Sequence, residues 1–172
     1  MTRFHVRPEA IAADRVVFDA EETRHLARVL RLAPGDCVHV VDGRGTEFTV
    51  RLESIEGRAA AGTILARSSS ATESPLAITL AQGIPKGDKM EWIVRTATEL
   101  GAARVVPLLT ERSIPRLEPG RWRERARRWQ RVAKEAAKQC GRAVIPTVDA
   151  PRSIREFADA ERAADLALCL WE

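Results

Sequence analysis

From Gly120 onward one spacing dominates: Trp122, Ala126, Trp129, Ala133, Ala136 and Cys140 recur at intervals of four, three, four, three and four. An α-helix alone lines such residues up in a single apolar seam. The remaining faces carry Arg121, Arg123, Arg125, Arg127, Arg128, Arg131, Lys134 and Lys138. The spacing predicts a helix over Gly120 to Gln139, apolar along one line and basic elsewhere. Trp122 and Trp129 have the chemistry to stack bases, but their place on the seam favours core packing.

That helix belongs to a basic middle. Residues 76–142 hold 15 basic and 7 acidic side chains, while residues 1–75 balance at −1 and residues 143–172 at −3. The total is +4, and 24 of the 28 cations are arginines. The arginine fork matches phosphate oxygens, so the pattern points to a nucleic-acid face. A GC-rich genome also enriches arginine, which leaves a solvated surface as the other reading.

Ahead of the basic middle the signals are mostly β. Short strands are expected at Arg15 to Asp19, Asp36 to Asp42, Thr46 to Ile55 and Arg58 to Ala66. A Pro34-Gly35 turn, an Asp42-Gly43-Arg44-Gly45 hairpin and Gly57 separate them. One helix, Glu21 to Leu32, interrupts them. The stretch from Ala66 to Pro75 is small and polar and reads as a linker. Beyond it the rhythm becomes β-α-β-α. Strands are expected at Leu76 to Ile84 and Arg104 to Leu109. Between them Asp88 is positioned to cap a helix buried through Met90, Ile93, Val94, Ala97 and Leu100, with Glu91 close to a capping box. Pro107 requires its strand to end early or to need no ladder bond there. A short helix near Ser153 to Ala160 and an apolar strand from Asp165 to Trp171 follow. The fold class is α/β: a small β-barrel-like module, residues 1–70, then an α/β unit, residues 76–172.

Several classes are excluded. No run approaches the roughly 18 apolar residues of a membrane helix, and the N-terminus lacks the apolar core of a signal peptide. Cys37, Cys140 and Cys169 are scattered, which fits a reducing, cytoplasmic setting with thiols as small buried hydrophobes. The three histidines have no metal-ligand spacing, so no metal is expected. Walker, G-x-G-x-x-G, H-E-x-x-H and G-x-S-x-G motifs are all missing.

Candidate site residues cluster at expected strand ends. Gln82-Gly83-Ile84-Pro85-Lys86-Gly87-Asp88-Lys89 joins a strand to a helix, and Lys86 and Lys89 near a helix N-terminus favour anions. In Thr110-Glu111-Arg112-Ser113, Arg112 suits a phosphate and Glu111 can orient it or accept a proton. Gly141 ends the basic helix and leaves Arg142 to point toward the same edge. Arg123, Arg127 and Lys134 complete the basic face. Each loop also has a plain reading as a solvated or salt-bridged turn.

These residues, in this order, resemble a known family. His25-Leu26-Ala27-Arg28-Val29-Leu30-Arg31, Gly35-Asp36 and Asp42-Gly43 are similar to the N-terminal PUA-like barrel of the RsmE-type 16S ribosomal RNA uracil-N3 methyltransferases, of the SPOUT class. Gln82 to Lys89 with Glu91, Thr98-Glu99-Leu100-Gly101, Pro107, Glu111-Arg112-Ser113, Trp129, Glu135-Ala136, Gln139-Cys140-Gly141-Arg142 and Pro146 follow in the family's order. The resemblance implies an RNA-binding barrel, with Arg28 and Arg31 among its RNA contacts. It also implies an α/β domain closed by a C-terminal trefoil knot that holds S-adenosylmethionine, and a homodimer with active sites at the interface. The implied substrate is 16S ribosomal RNA of the small subunit. Uracil N3 must lose a proton before it attacks a sulfonium methyl. Glu111, Arg112 and Arg142 are therefore the expected site residues. The family's glycine-rich I-G-P-E-G-G segment does not occur in the 172 residues. Glu172 falls where the first knot loop is expected and is the cofactor candidate, the rest of the pocket being expected beyond it. The chain taken alone is accordingly expected not to turn over. A non-catalytic RNA-binding module is the alternative reading.

Overall fold

The computed structural model describes residues 3–69, 73–111 and 118–170. The first unit contains β1 (Arg3–His5), β2 (Ile11–Ala12), β3 (Arg15–Phe18), α1 (Ala20–Arg24), β4 (Cys37–Val41), β5 (Thr46–Glu56) and β6 (Ala59–Ser69). The strands form one curled sheet in the order β1-β4-β5-β6-β3-β2. Alternation decides the faces: Val38 and Val40 of β4 and Phe48, Val50 and Leu52 of β5 point inward. They meet Phe4, Phe18 and Leu26 in one core, with the Phe4 and Phe18 rings edge to face at 6.0 Å. The long β5–β6 hairpin bends at two register shifts. Gly62 lies beside the second, where a Cβ would stand 2.5 Å from the Arg51 carbonyl oxygen.

The expected helix from Glu21 to Leu32 is shorter and changes form. Asp19 caps α1 by accepting from the Glu21 and Glu22 amides at 3.0 and 2.9 Å. After Arg24 the chain widens into a π-turn over His25–Val29. The turn closes with Arg31 at a φ of 55°.

The second unit contains β7 (Thr79–Gly83), α2 (Lys89–Glu99), β8 (Arg104–Leu109), α3 (Pro119–Cys140), β9 (Thr147–Val148), β10 (Arg152–Ser153) and α4 (Ile154–Ala160). All its strand pairs are parallel, with β7 on one side of β8 and β9 and β10 on the other. Pro107 sits inside β8 rather than ending it. The ladder with β9 stops at Val105 and that with β10 resumes at Leu108, so the break falls opposite Val106 and Pro107. Trp129 and Ala133 of α3 pack with Met90, Val94 and Ala97 of α2 and Val105 of β8. Trp122 packs half-buried against this core, so both tryptophans belong to the seam.

Several local expectations change. β7 begins at Thr79, where pairing with Arg104 begins, and Leu76 and Ile78 remain exposed. Asp88 makes no side-chain cap, and the Glu91 carboxylate pairs instead with Arg128 Nε at 2.7 Å. Leu100 is 79% exposed because it lies at the helix cap, where Gly101 at φ 94° turns the chain outward. Cys140 leaves the seam at the last helical position, and all three thiols are exposed rather than buried. Cys37 alternates outward beside buried Val38, and Cys169 lies in the exposed segment that ends the described residues. Residues 165–170 form no strand. A strand exists through its partners, and among the described residues none pairs here, so Leu166, Leu168 and Leu170 are 75%, 80% and 96% exposed.

The two units are joined by specific contacts. Arg3 Nη1 donates to the Gly141 carbonyl. The Ile145 amide donates to Gly43 O at 3.1 Å and the Gly45 amide to Ala143 O at 3.3 Å, which docks the Asp42–Gly45 turn onto the chain after α3. Lys138 Nζ lies 2.6 Å from Glu22 Oε1, a carboxylate that is 2% exposed. Burial works against the charge on Lys138, but the bonded Glu22 and then Glu135 and Glu21 hold its pKa above the ordinary value.

Candidate nucleic-acid interface

Parallel strands place their C-terminal ends on one edge, and β7 and β8 both end there. A Cβ on Gly83 would lie 3.5 Å from Thr110 Cγ2, so the turns after the two strands are neighbours. The first turn carries Lys86 and Lys89, both exposed and without a carboxylate partner among the described residues. Gly87, at φ 73°, makes the turn possible. The second turn carries Glu111, exposed just past β8. Arg112 and Glu172 lie outside the described residues. The structure therefore brings Lys86, Lys89 and Glu111 to one edge.

α3 starts on this edge and runs back against the strand direction. Arg123 and Arg127 are exposed on it, four residues apart and thus on one face. Lys134, farther along, is half-buried and lies near enough to His5 of β1 to depress its pKa. Arg125 turns inward, its guanidinium 5.7 Å from the centre of the Trp122 ring.

Arg142 departs from its expected position. Its Nη1 donates to Thr98 O at 3.0 Å and Ala102 O at 2.7 Å, at the far end of α2. Its Nε and Nη2 donate to Glu73 Oε2 at 3.1 and 2.7 Å. This is the opposite edge from Glu111, the six residues of β8 apart, about 20 Å at the usual strand rise. The side chain is buried and its donors are taken up internally. Arg142 thus clamps the end of α2 to the segment before β7 and is not free to meet a phosphate. The sequence marked Glu73 only as part of a linker.

Two clefts lie elsewhere. One, of about 900 Å³, lies between the first unit and the end of α3, lined by Arg3, Glu22, His25, His39, Lys138 and Gln139 among others. The second, of about 700 Å³, runs between α2 and α3 past Arg95, Arg128 and Arg131. Neither is lined by the strand-end residues Gly83, Lys86 or Glu111. No group of His, Cys, Asp and Glu among the described residues is placed to hold a metal ion. No helix among them is long and apolar enough to cross a membrane.

A model described as an RNA methyltransferase PUA domain matches residues 18–65, and one described as an RNA methyltransferase domain matches residues 72–172. The Ribosomal RNA small subunit methyltransferase E of Synechocystis sp. is 40% identical over 159 residues, 91% of this chain and 50% of that protein. The protein of the same name from Bacillus subtilis is 31% identical over 150 residues, 87% of this chain and 58% of that protein. The chain thus spans about half the length of these relatives. Among solved structures, a Neisseria gonorrhoeae Ribosomal RNA small subunit methyltransferase E bound to S-adenosyl methionine superposes with a TM-score of 0.79 at 36% identity, over 92% of this chain and 65% of that one. A Legionella pneumophila protein in complex with the cofactor SAM gives a TM-score of 0.79 at 30% identity, over 96% of this chain and 67% of that one. With a matching domain model across residues 72–172, the chain belongs to the RNA methyltransferase family.

Proposed function

We propose that this chain is part of an enzyme that methylates N3 of a uridine in the 16S ribosomal RNA of the small subunit, with S-adenosylmethionine as methyl donor. The observation that carries the reading is the match of an RNA methyltransferase domain over residues 72–172, directly after an RNA methyltransferase PUA domain. That order favours the enzyme over a bare binding module. The exposed cations Lys86, Lys89, Arg123 and Arg127, without a carboxylate partner among the described residues, support an RNA partner. Arg28 and Arg31 add a second basic surface on the first unit.

N3 lies on the Watson–Crick edge, so the target uridine must be unpaired or extruded when it reacts. Its proton needs an acceptor, and the resulting anion needs a nearby positive charge. Glu111 stands at the strand-end edge and is the candidate to orient the base or accept the proton. Arg112, the next residue in sequence, is the candidate to steady the anion. S-adenosylmethionine supplies an electrophilic methyl group when bound. Glu172 is the candidate for contact with the donor. A homodimer with its sites at the interface is part of the same reading.

The test is methyl transfer by full-length protein to unmodified small ribosomal subunits with labelled donor, followed by identification of the product nucleoside. 3-Methyluridine is the expected product. Methylation at uracil C5 or at ribose 2′-O would reject the assignment.

A further inference from the structure

We propose that Glu73 and Arg142 are positioning residues: they shape residues 143–145 into the strip on which the barrel hairpin docks, and they fasten that strip to α2. The barrel and the strand-end edge then meet one RNA in a set mutual orientation. The inference deepens the proposed function and rests on it.

The joint uses both sides of one short segment. On one side, Glu73 Oε1 accepts from the Ala143 and Val144 amides at 2.9 and 3.0 Å. On the other, Ala143 O accepts from the Gly45 amide at 3.3 Å and the Ile145 amide donates to Gly43 O at 3.1 Å. Val144 forms bridges with Gly43 and Arg44. The fit is close: a Cβ on Gly43 would stand 3.1 Å from Ile145 Cδ1, and one on Gly45 3.4 Å from Val144 Cγ2. Residues 143–145 lie between α3 and β9 and belong to neither. No helical or strand ladder holds their backbone, so its shape depends on the carboxylate that gathers two successive amides.

Arg142 faces the opposite way. Its Nη1 donates to Thr98 O and Ala102 O at 3.0 and 2.7 Å, and its Nε and Nη2 hold Glu73 Oε2. A guanidinium suits the C-terminal end of α2, where carbonyls lack helical partners and the helix dipole is negative. The single nitrogen of a lysine could not span both the carbonyls and the carboxylate. From this anchor α2 runs 11 residues back to Lys89, beside Lys86. A helix transmits position along its length, so the anchor also places the strand-end turn. The contacts that join the two units, from Lys138–Glu22 to Ile145–Gly43, all fall on residues 138–145.

Two surfaces held in register bind one RNA more tightly than the same surfaces on a loose joint, because the second contact becomes intramolecular. Loosening the joint should therefore weaken RNA binding and leave the chemistry of a bound uridine unchanged.

The test uses full-length protein carrying Glu73→Gln, which keeps the size of the side chain and removes its charge. One amide oxygen cannot serve Arg142 and both backbone amides together. Hydrogen exchange at the Gly45 and Ile145 amides should speed about tenfold, while the Val50 and Leu52 amides of β5 keep the parent's rates. Affinity for 16S ribosomal RNA should fall about tenfold. In methyl transfer the KM for small subunits should rise by a like factor, with kcat within about twofold of the parent. Gly45→Ala, which strains the joint from the barrel side, should reproduce both the faster exchange and the weaker binding. Gly62→Ala, which strains the barrel away from the joint, should keep the parent's RNA affinity wherever it is folded. Parent exchange rates at Gly45 and Ile145 in Glu73→Gln would overturn the inference. So would parent RNA affinity in either joint variant with its exchange accelerated, or an equal loss of affinity in Gly62→Ala. Exchange and direct binding need no methyl transfer. A parent protein that transfers no methyl group would reject the enzyme reading, and those two readouts would still decide the joint.

Discussion

Glu73 Oε2 lies 2.7 Å from Arg142 Nη2, joining two residues 69 positions apart in sequence. The other carboxylate oxygen accepts from the amides of Ala143 and Val144 at 2.9 and 3.0 Å. Burial pushes the Glu73 pKa up, but the Arg142 and Val144 hydrogen bonds outweigh it and hold the carboxyl below its ordinary value. Both side chains are mostly withdrawn from solvent, Arg142 at 9% and Glu73 at 18% exposure. Arg142→Ala would strand Glu73 and free the carbonyls of Thr98 and Ala102. A loss of about 3–5 kcal/mol is expected, the range for breaking a buried pair from one side. Urea unfolding of the variant measures it. A change below the scatter of surface substitutions would show that the clamp contributes little.

His5 should make the protein acid-sensitive. It is 3% exposed, and neither ring nitrogen has a hydrogen-bond partner among the described residues. Burial first, then the charges of Lys138, Lys134 and Arg3, lower its pKa from 6.5 to about 4. The unfolded chain therefore takes up a proton that the folded one refuses. This contribution is fully present above pH 6.5 and is lost as pH falls toward 4. Linkage gives about 2 kcal/mol of lost stability between pH 7 and pH 5. Denaturant midpoints at the two values should show that loss in the parent and a smaller one in His5→Leu. Equal losses would rule out His5 as the cause.

Gly62→Ala should destabilise the first unit. The added Cβ would meet Arg51 O at 2.5 Å and Val50 Cγ1 at 2.6 Å. Overpacking of this kind costs about 1–3 kcal/mol, and the clash is with backbone in the long hairpin, which yields poorly. Differential scanning calorimetry should record a lower midpoint than for Gly57→Ala, since Gly57 has open space and only its φ of 56° opposes a side chain. A Gly62→Ala midpoint equal to the parent would mean that the strands separate freely.

The basic face of α3 should show itself in salt dependence. Neutralising Arg123, Arg127 and Lys134 together is expected to weaken RNA binding and to flatten the salt slope by up to about one unit per phosphate involved. Arg123 and Arg127 should account for most of the change, because Lys134 is half-buried beside the His5 strand. A slope that stays put would leave these residues as solvated surface.

Residues 1–172 prepared by themselves should show no saturable binding of S-adenosylmethionine in calorimetric titration. Neither the cleft at the end of α3 nor the one between α2 and α3 is lined by the strand-end residues, and Leu166, Leu168 and Leu170 stand open to solvent. Each leucine buried by a covering segment would contribute roughly 1.5–3 kcal/mol. Hydrogen exchange on the same sample should find protected amides in β4, β5 and β6. Micromolar cofactor binding by this polypeptide would place the pocket within the chain.

Some of this protein is written locally. The seam from Trp122 to Ala136 determined α3, because helical periodicity needs only neighbours three and four residues away. Turn chemistry did the same for Asp42, whose carboxylate accepts from the Arg44 and Thr46 amides at 2.8 and 3.0 Å, as an Asx turn requires. The ordered motifs determined the family resemblance. Tertiary structure decided the rest. Arg142 and Glu73 find each other across 69 residues, and Arg3 reaches Gly141 across 138. No window of sequence contains both partners, so Arg142 reads from sequence as a free cation and Glu73 as linker. Residues 165–170 read as a strand because they are apolar, but pairing is a property of two segments. The strained Arg31 is of the same kind: its conformation is imposed by Leu30 and Leu32 packing on a core that assembles only when the barrel closes around them.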